Sequence, residues 1–557
     1  MNNIKSSVLI PIIAALCILI GIGIGVYYSP SRNSVFISQN STNKLNAILR
    51  ILDENYVDSI NINDLVEDAL PTIISKLDPH SVYLPKVYAQ ELSSDLEASF
   101  SGIGVQFTIQ QDTIYVNNVV KKGPAEEVGI IPGDRIVMVD DSLFVGKMVN
   151  NHSSMKKLKG PKGSKVKLGI KRTGEKELLS YIITRGDIPQ NTIDATYMIN
   201  DKFGYIQLGK FGRTTYVELI NSMAKLLYEK CQGVIIDLRG NTGGYLDIVA
   251  KIVNEFLPSN RLIVFTEGVH MARQDIFTTG SGGYQDIPII LLIDESSASS
   301  SEIFAAAIQD NDRGTIIGRR SFGKGLVQKQ IEFNDSSSLR LTIARYYTPA
   351  GRSIQKPYEK GNKYDYDLDF LHRVQHGELF NEDSIKLNKD LLYHTLNGRP
   401  IYGGGGIMPD IFVPHDTIGS TSYLTEVFNR GLTIQFSFQY SDKNRVKLSD
   451  ISSEQEMEKY LKGQSIVERF IQFAQDKGVK RRNNLIRKSY GLLEKNLISN
   501  ITYNILGMEE HIKYINKTDK TVLTALDVLE NGKSFPAPPV NTETNDQNET
   551  TQKRAAE

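Results

Sequence analysis

The chain has 557 residues, 40% of them hydrophobic and 23% charged, with 64 basic against 64 acidic side chains. That length holds roughly three or four domains of about 100–200 residues, and the composition excludes wholesale disorder. Balanced charge supplies no global field for nucleic acid, and two cysteines, Cys17 and Cys231, make neither a disulfide framework nor a metal cluster.

In chain order, residues 1–32 come first. No residue between Lys5 and Arg32 is charged, and the apolar run Val8 to Tyr28 is long enough to cross a hydrocarbon core of about 30 Å. No small-residue cleavage site follows clearly, and Ala14-Ala15-Leu16 before Cys17 is a poor lipidation box, so an uncleaved signal anchor with the rest of the chain exported is expected. Residues 33–90 read as a helical region: "LNAILRILDENYV" and "LVEDALPTIISKL" show helical periodicity, and Pro79 in "LDPHSVYL" is expected to stop the second helix.

Over 91–185 the pattern turns to strands: "GIGVQFTI", "TIYVNNVV", "DRIVMVD", "KVKLGIKR" and "ELLSYIITR", with the short helix and turn of "GPAEEVGIIPGDRI" between them. From 186 to 417 strands and helices alternate. "YIQLGKF", "GVIIDLR", "LIVFT", "IPIILLID" and "GTIIGR" read as buried strands. "TYVELINSMAKLLYEK", "YLDIVAKIVNEFL" and "SEIFAAAIQDN" read as crossover helices, which argues an α/β layered core. "LVQKQIEF" and "LRLTIARYY" read as a following hairpin. Residues 418–533 are helical and charged, with a basic run from Lys477 to Lys488, and 534–557 lack core-forming side chains.

Three stretches could carry chemistry. "DESSASSSEIF" follows an apolar strand, opens a helix and holds five serines, Ser296, Ser297, Ser299, Ser300 and Ser301. Ser299 and Glu302 make a Ser-x-x-Glu capping box, yet a serine at a helix N-terminus also has backbone N–H groups beside it that suit an oxyanion. The usual base is histidine, but none of the eight lies in a glycine-rich turn of the α/β core. Lysine is the alternative, since burial drives its pKa towards neutrality, and Lys324 between Gly323 and Gly325 is the candidate. Gly318 to Lys324 also fits the start of a phosphate-binding loop. However, Gly325 stands where the metal-holding hydroxyl belongs and a strand follows, so nucleotide binding is rejected. The third stretch, "GVIIDLRGNTGGYLDI", is a glycine-rich strand–turn–helix corner that could supply oxyanion donors.

These pieces together resemble the carboxyl-terminal processing proteases, or tail-specific proteases. "YVD" and "LDPHSVYL" match the family's helical region, and "GIGV" with "GPAEEVGIIPGDRI" its PDZ domain. "DLRGNTGG", "SASSSEIFAAAIQDN", "GRRSFGKGLVQ", "YYTPAGRSIQ" and "GGIMPDI" match its protease core. The resemblance covers about residues 45 to 415. It implies a multidomain α/β fold: a crotonase/Clp-protease-like core, an inserted mostly-β PDZ domain, an N-terminal helical region and a helical C-terminal extension. It implies Ser299 as nucleophile, Lys324 as general base and Gln328 as the residue orienting that lysine; on a strand, 324 and 328 share a face. The backbone N–H of Ser300 and of Gly243 or Gly244 would form the oxyanion hole. In the PDZ domain, Gly102, Ile103, Gly104 and Val105 would receive a substrate's C-terminal carboxylate, and "VQFTI" would pair with the tail as an added strand.

No metal or cofactor is implied. The implied partners are protein substrates held by their C-terminal tails, the membrane through the anchor, and an adaptor or further copies of the chain. The expected location is the bacterial inner membrane with the catalytic part in the periplasm. Asp294-Glu295 and Ser300 depart from the commoner family pattern, without removing a catalytic atom. An inactive PDZ scaffold and a crotonase-like thioester enzyme are the alternatives; the intact Ser–Lys pair weighs against the first, the PDZ insertion and Lys324 against the second.

Overall fold

A computed structural model of the chain describes residues 11, 14–22, 24, 41–86, 99–110 and 112–532, divided into two units at Ile73/Ile74. In the first unit, residues 14–22 are helical and turn Leu16, Ile18, Leu19, Ile20 and Ile22 outwards. Only part of the expected anchor Val8–Tyr28 falls among the described residues, and among those no helix is long and apolar enough to cross a membrane. Two amphipathic helices follow, α1 (Ser41–Asn55) and α2 (Ile62–Ile74). α2 tolerates Pro71 in its interior and ends at Ile74, ahead of the expected stop at Pro79. The residues after it form a tight turn instead. Leu77 N–H donates to the Ile74 carbonyl, and the Asp78 carboxylate accepts from the N–H groups of His80 and Ser81 at 2.9 Å. That turn feeds β1 (Val82–Leu84).

The next module is the expected β domain. β3 (Val105–Gln110), β4 (Thr113–Val119), β5 (Arg135–Val139), β7 (Lys165–Lys171) and β8 (Leu179–Thr184) form an antiparallel sheet in that order, with β6 (Ser142–Leu143) beside β5. β2 (Ser99–Gly102) pairs with β9 (Gly186–Pro189), and the helices α3 (Pro124–Glu127) and α4 (Asn151–Leu158) complete the unit. Strand alternation buries one set of side chains, among them Ile114, Val116, Ile136, Leu168 and Ile170, in a single core. Among the described residues β3 has a strand partner on one side only, which makes it a sheet edge there.

β10 (Ile193–Met198), β11 (Phe203–Leu208), β12 (Gly233–Asp237), β15 (Ile289–Ile293), β16 (Thr315–Gly318) and β21 (Ile411–Phe412) form the core sheet in that order. β10 is antiparallel to β11; all later pairs are parallel. Helices α5 (Thr215–Tyr228), α6 (Leu246–Phe256) and α7 (Ser300–Asp310) are the crossovers the sequence predicts. Alternation sends Ile206, Val234, Ile236, Ile289 and Leu291 to the face packed by these helices. Tyr205, Ile235, Ile290 and Leu292 go to the opposite face. A parallel sheet must be covered on both faces, and the second cover comes from the far end of the chain. Ile512, Val522, Ala525, Val528 and Leu529, on the helices Met508–Asn516 and Lys520–Glu530, pack there.

One expected core strand lies elsewhere. β13 (Leu262–Gly268) pairs antiparallel with β14 (Met271–Phe277) and with β18 (Ser338–Tyr347), in a second sheet that also holds β1 and β17 (Leu326–Glu332). β17 and β18 form the predicted hairpin. A short hairpin of β19 (Leu392–His394) and β20 (Pro400–Tyr402) follows the helix α8 (Lys363–Gln375). In the C-terminal region, α9 (Ser422–Asn429) and α10 (Leu432–Lys443) open a bundle with its own core. α10 meets the β domain: Arg135 pairs with Asp442 at 2.7 Å, and Tyr115 stacks edge-on against Phe438 at 4.7 Å.

Candidate active site

β15 ends at Ile293, and the next residues form the serine-rich corner into α7. Asp294 builds the turn: its Oδ1 accepts from the N–H groups of Gly240 and Ser296 at 3.0 Å and of Ser297 at 3.1 Å. Burial raises its pKa. Glu295 pairs with Arg319 at 2.8 Å, which holds its carboxyl below the ordinary value although burial pushes it up. The Asp294-Glu295 pair is therefore scaffolding of this corner.

The five hydroxyls separate by burial. Ser297, Ser300 and Ser301 are buried and spend their hydroxyls on backbone carbonyls, those of Leu238 (2.8 Å), Gly244 (3.0 Å) and Asn241 (2.8 Å). Ser296 is exposed. Ser299 is half-buried and has φ +56° and ψ −114°, a conformation costly for a residue with a Cβ. Neighbours hold it there. Ala298 N–H donates to the Asn241 carbonyl at 3.0 Å, and Ser299 N–H to Glu302 Oε2 at 2.9 Å. Tyr346 OH donates to the Ser299 carbonyl at 3.2 Å.

The glycine-rich corner after β12 lies directly against this turn. A Cβ on Gly243 would sit 2.7 Å from Ser299 Cβ and 3.0 Å from Ser300 N; one on Gly244 would sit 2.1 Å from the Phe211 carbonyl oxygen. Only glycine fits either position. Gly243 N–H donates to Asn241 Oδ1 at 2.9 Å, which engages it within the corner. Asn241, fully buried, ties the two corners together through its side chain and its carbonyl. Sequence reasoning passed over it, although it stands in the glycine-rich motif.

Lys324 lies in the link before β17. Its N–H donates to Glu302 Oε2 at 2.8 Å, and its carbonyl shares the one Tyr346 O–H proton with the Ser299 carbonyl. Burial lowers its pKa, the Arg340 guanidinium lowers it further, and Glu302 and Asp78 oppose. Glu302 is thus more than a helix cap. The fully buried carboxylate accepts from Ser299 N–H, Lys324 N–H, Gly323 N–H at 2.7 Å and the Ser321 hydroxyl. Burial raises its pKa despite these bonds. Glu302 and Tyr346 together clamp the Ser299 and Lys324 backbones to each other.

Gln328 lies on β17, two residues into the strand. Its amide donates to the Leu326 carbonyl at 3.2 Å and to Thr342 Oγ1 at 3.5 Å. The shared-face argument fails because β17 begins only at Leu326 and its register shifts between Val327 and Gln328. What surrounds the lysine instead is the "LDPHSVYL" segment. Thr342 Oγ1 donates to Asp78 Oδ1 at 3.0 Å, Thr342 N–H to Ser81 Oγ at 3.0 Å, and His80 Nε2 meets Tyr366 OH at 2.8 Å. His80 is pushed down to about 4, by burial first and by the charge of Lys324 second.

In the β domain, Gly102 pairs with Gly186, and the carbonyls of Ile103 and Gly104 accept from Ala125 and Val120 N–H groups at 2.9 Å. The Ile103 side chain is buried, and Val105 opens the edge strand β3.

An α/β core with a serine at the strained start of a helix, a half-buried lysine beside it and a β domain of its own core defines a PDZ-bearing peptidase class. The PDZ domain family matches residues 101–183, peptidase family S41 matches 202–368, and a family of unknown function matches 423–507. The carboxy-terminal-processing protease of Bartonella bacilliformis is 35% identical over 305 residues, 54% of this chain and 69% of that one. Carboxy-terminal processing proteases CtpB and CtpA of Bacillus subtilis are 32% and 31% identical, covering 56% and 60% of this chain and 65% and 73% of theirs. The chain belongs to the carboxy-terminal processing proteases of peptidase family S41. Its matches span about two thirds of the length of these relatives.

Proposed function

We propose that the protein is a serine endopeptidase that uses Ser299 and Lys324 to cleave exported proteins near their C-termini. The observation that carries this is the clamp: Glu302 accepts from both Ser299 N–H and Lys324 N–H, and Ser299 is the half-buried hydroxyl of the cluster. Lys324, whose charged form burial disfavours, takes the Ser299 proton in its deprotonated form as Oγ attacks the scissile carbonyl. The N–H groups of Ser300 and Gly244 receive the developing oxyanion. Lys324 returns the proton to the leaving amine, and water then hydrolyses the acyl-enzyme. Gln328 acts at one remove, through Thr342 and Asp78 at the edge of the lysine site.

The PDZ domain selects the substrate. A tail whose carboxylate meets the turn of Gly102, Ile103, Gly104 and Val105 adds as a strand to the open edge of β3. The outward-facing apolar side chains of residues 16–22 support a membrane anchor, and hence a periplasmic position for the peptidase. Full-length protein is expected to sediment with membranes and to cleave a protein carrying an apolar C-terminal tag. Ser299→Ala and Lys324→Ala should each abolish cleavage with unchanged circular dichroism. Activity retained in either purified variant would remove that residue from the mechanism, and a soluble full-length chain would remove the anchor.

A further inference from the structure

The C-terminal bundle reaches the β domain beside the end of the edge strand and leaves a cleft there. Ile109 and Gln110, the last residues of β3, line one wall; Ile434, Gln435 and Gln439 of α10, with Lys477, line the other. The cleft encloses about 470 Å³, room for a long side chain. Ile434 is 57% exposed, an apolar surface left facing it, and among the described lining residues Lys477 is the one charged side chain. Lys477 also begins the basic run, and its carbonyl is held by Arg430.

A tail added to β3 has a fixed direction. Its carboxylate sits at the turn before Val105, so the chain upstream of the C-terminus runs along β3 towards Gln110. At roughly 3.4 Å per residue, the six residues of β3 are matched by about six residues of tail. The side chain at the fifth or sixth position from the substrate's C-terminus therefore arrives at the cleft.

We infer that the C-terminal bundle extends the tail-binding groove of the PDZ domain, and that this added subsite selects an acidic residue, glutamate by length, five or six positions from the substrate's C-terminus. The inference rests on the tail-binding role proposed above. Ile109 and Ile434 would cover the methylenes of the side chain, and Lys477 would meet its carboxylate. The bundle thus takes part in choosing substrates as well as supporting the fold.

The test uses full-length Ser299→Ala protein and fluorescein-labelled ten-residue peptides with an apolar C-terminus. The fifth and sixth positions from the end are both Glu, both Ala or both Lys, and binding is followed by fluorescence anisotropy. The Glu peptide is expected to bind about tenfold tighter than the Lys peptide, two opposed charge effects of a few-fold each. Lys477→Glu, an exposed substitution, should reverse the order. Equal affinities for all three, or an order unchanged by Lys477→Glu, would overturn the subsite. A C-terminally amidated Glu peptide separates the two levels. If it fails to bind, tail capture stands whatever the subsite result; if it binds as tightly as the free acid, tail capture itself falls, and the subsite with it.

Discussion

At the scale of single residues, Glu302 and Arg340 act on the Lys324 pKa from opposite sides. Arg340 lowers the Lys324 pKa and Glu302 raises it, both smaller effects than burial. A general base works only when deprotonated, so with Lys324 in the proposed role the acid limb of kcat/KM should follow its pKa. Removing the positive charge in Arg340→Gln should raise that pKa and move the limb to higher pH. Removing the negative charge in Glu302→Gln should lower it and move the limb to lower pH. Glu302→Gln also leaves backbone N–H donors facing an amide, which loosens the Ser299–Lys324 clamp and should cost about a hundredfold in the plateau rate. A pH–rate profile in which both variants shift the same way would refute the assignment. Lys324 stood out by its place between two glycines, whereas Ser299 was selected from the serine cluster only by the family resemblance. It read Glu302 as a cap alone, because its other donors come from residues about twenty positions on, a closure that no local pattern records. The shared-face argument for Gln328 fails for the mirror reason: a strand was assumed to begin before it does, and the register shifts just before Gln328.

At the scale of elements, the periodicities located the helices and strands of the core, including α5, α6, α7 and the β17–β18 hairpin. They could not say which sheet a strand joins. The apolar run of β13 reads like that of β15, yet it pairs antiparallel in the second sheet. The segment 77–84 was legible as a motif but not as a neighbour of the lysine, since that contact depends on β1 pairing with β18. Its position has a consequence for stability. His80 is held at about 4 against an ordinary 6.5, so between those values the unfolded chain takes up a proton that the folded one refuses. Stability contributed by neutral His80 is fully present above about pH 6.5 and falls as the pH drops towards 4. Urea midpoints should decline across that window, and His80→Gln should flatten the decline. An identical slope in the variant would show that this histidine is not what titrates.

At the scale of the whole molecule, the C-terminal region cannot be a detachable appendage. Composition marked residues 418–533 as helical and charged, and nothing in their local pattern tells which apolar face meets a partner 300 residues away. That information lies in the complementary strands, where Tyr205, Ile235, Ile290 and Leu292 alternate towards a face that α5, α6 and α7 do not cover. The helix Lys520–Glu530 fills it, and Asp519 just before it pairs with Arg239 at 2.9 Å, beside the glycine-rich corner of the active site. Burying a large aliphatic side chain contributes about 1.5–3 kcal/mol. Val522, Val528, Leu529 and Ile512 together therefore contribute an amount comparable with the whole stability of a typical domain, about 5–15 kcal/mol. A chain ending at residue 417 is expected to lose the fold of the peptidase core, entering the insoluble fraction or binding a hydrophobic dye, whereas one ending at 532 should remain folded and active. Leu529→Asp in the full chain should reproduce the loss in milder form, because it places a carboxylate against the sheet without removing the other contacts. A soluble, active 1–417 fragment would show that the sheet tolerates an open face, and the C-terminal bundle would then be left with the tail-binding role alone.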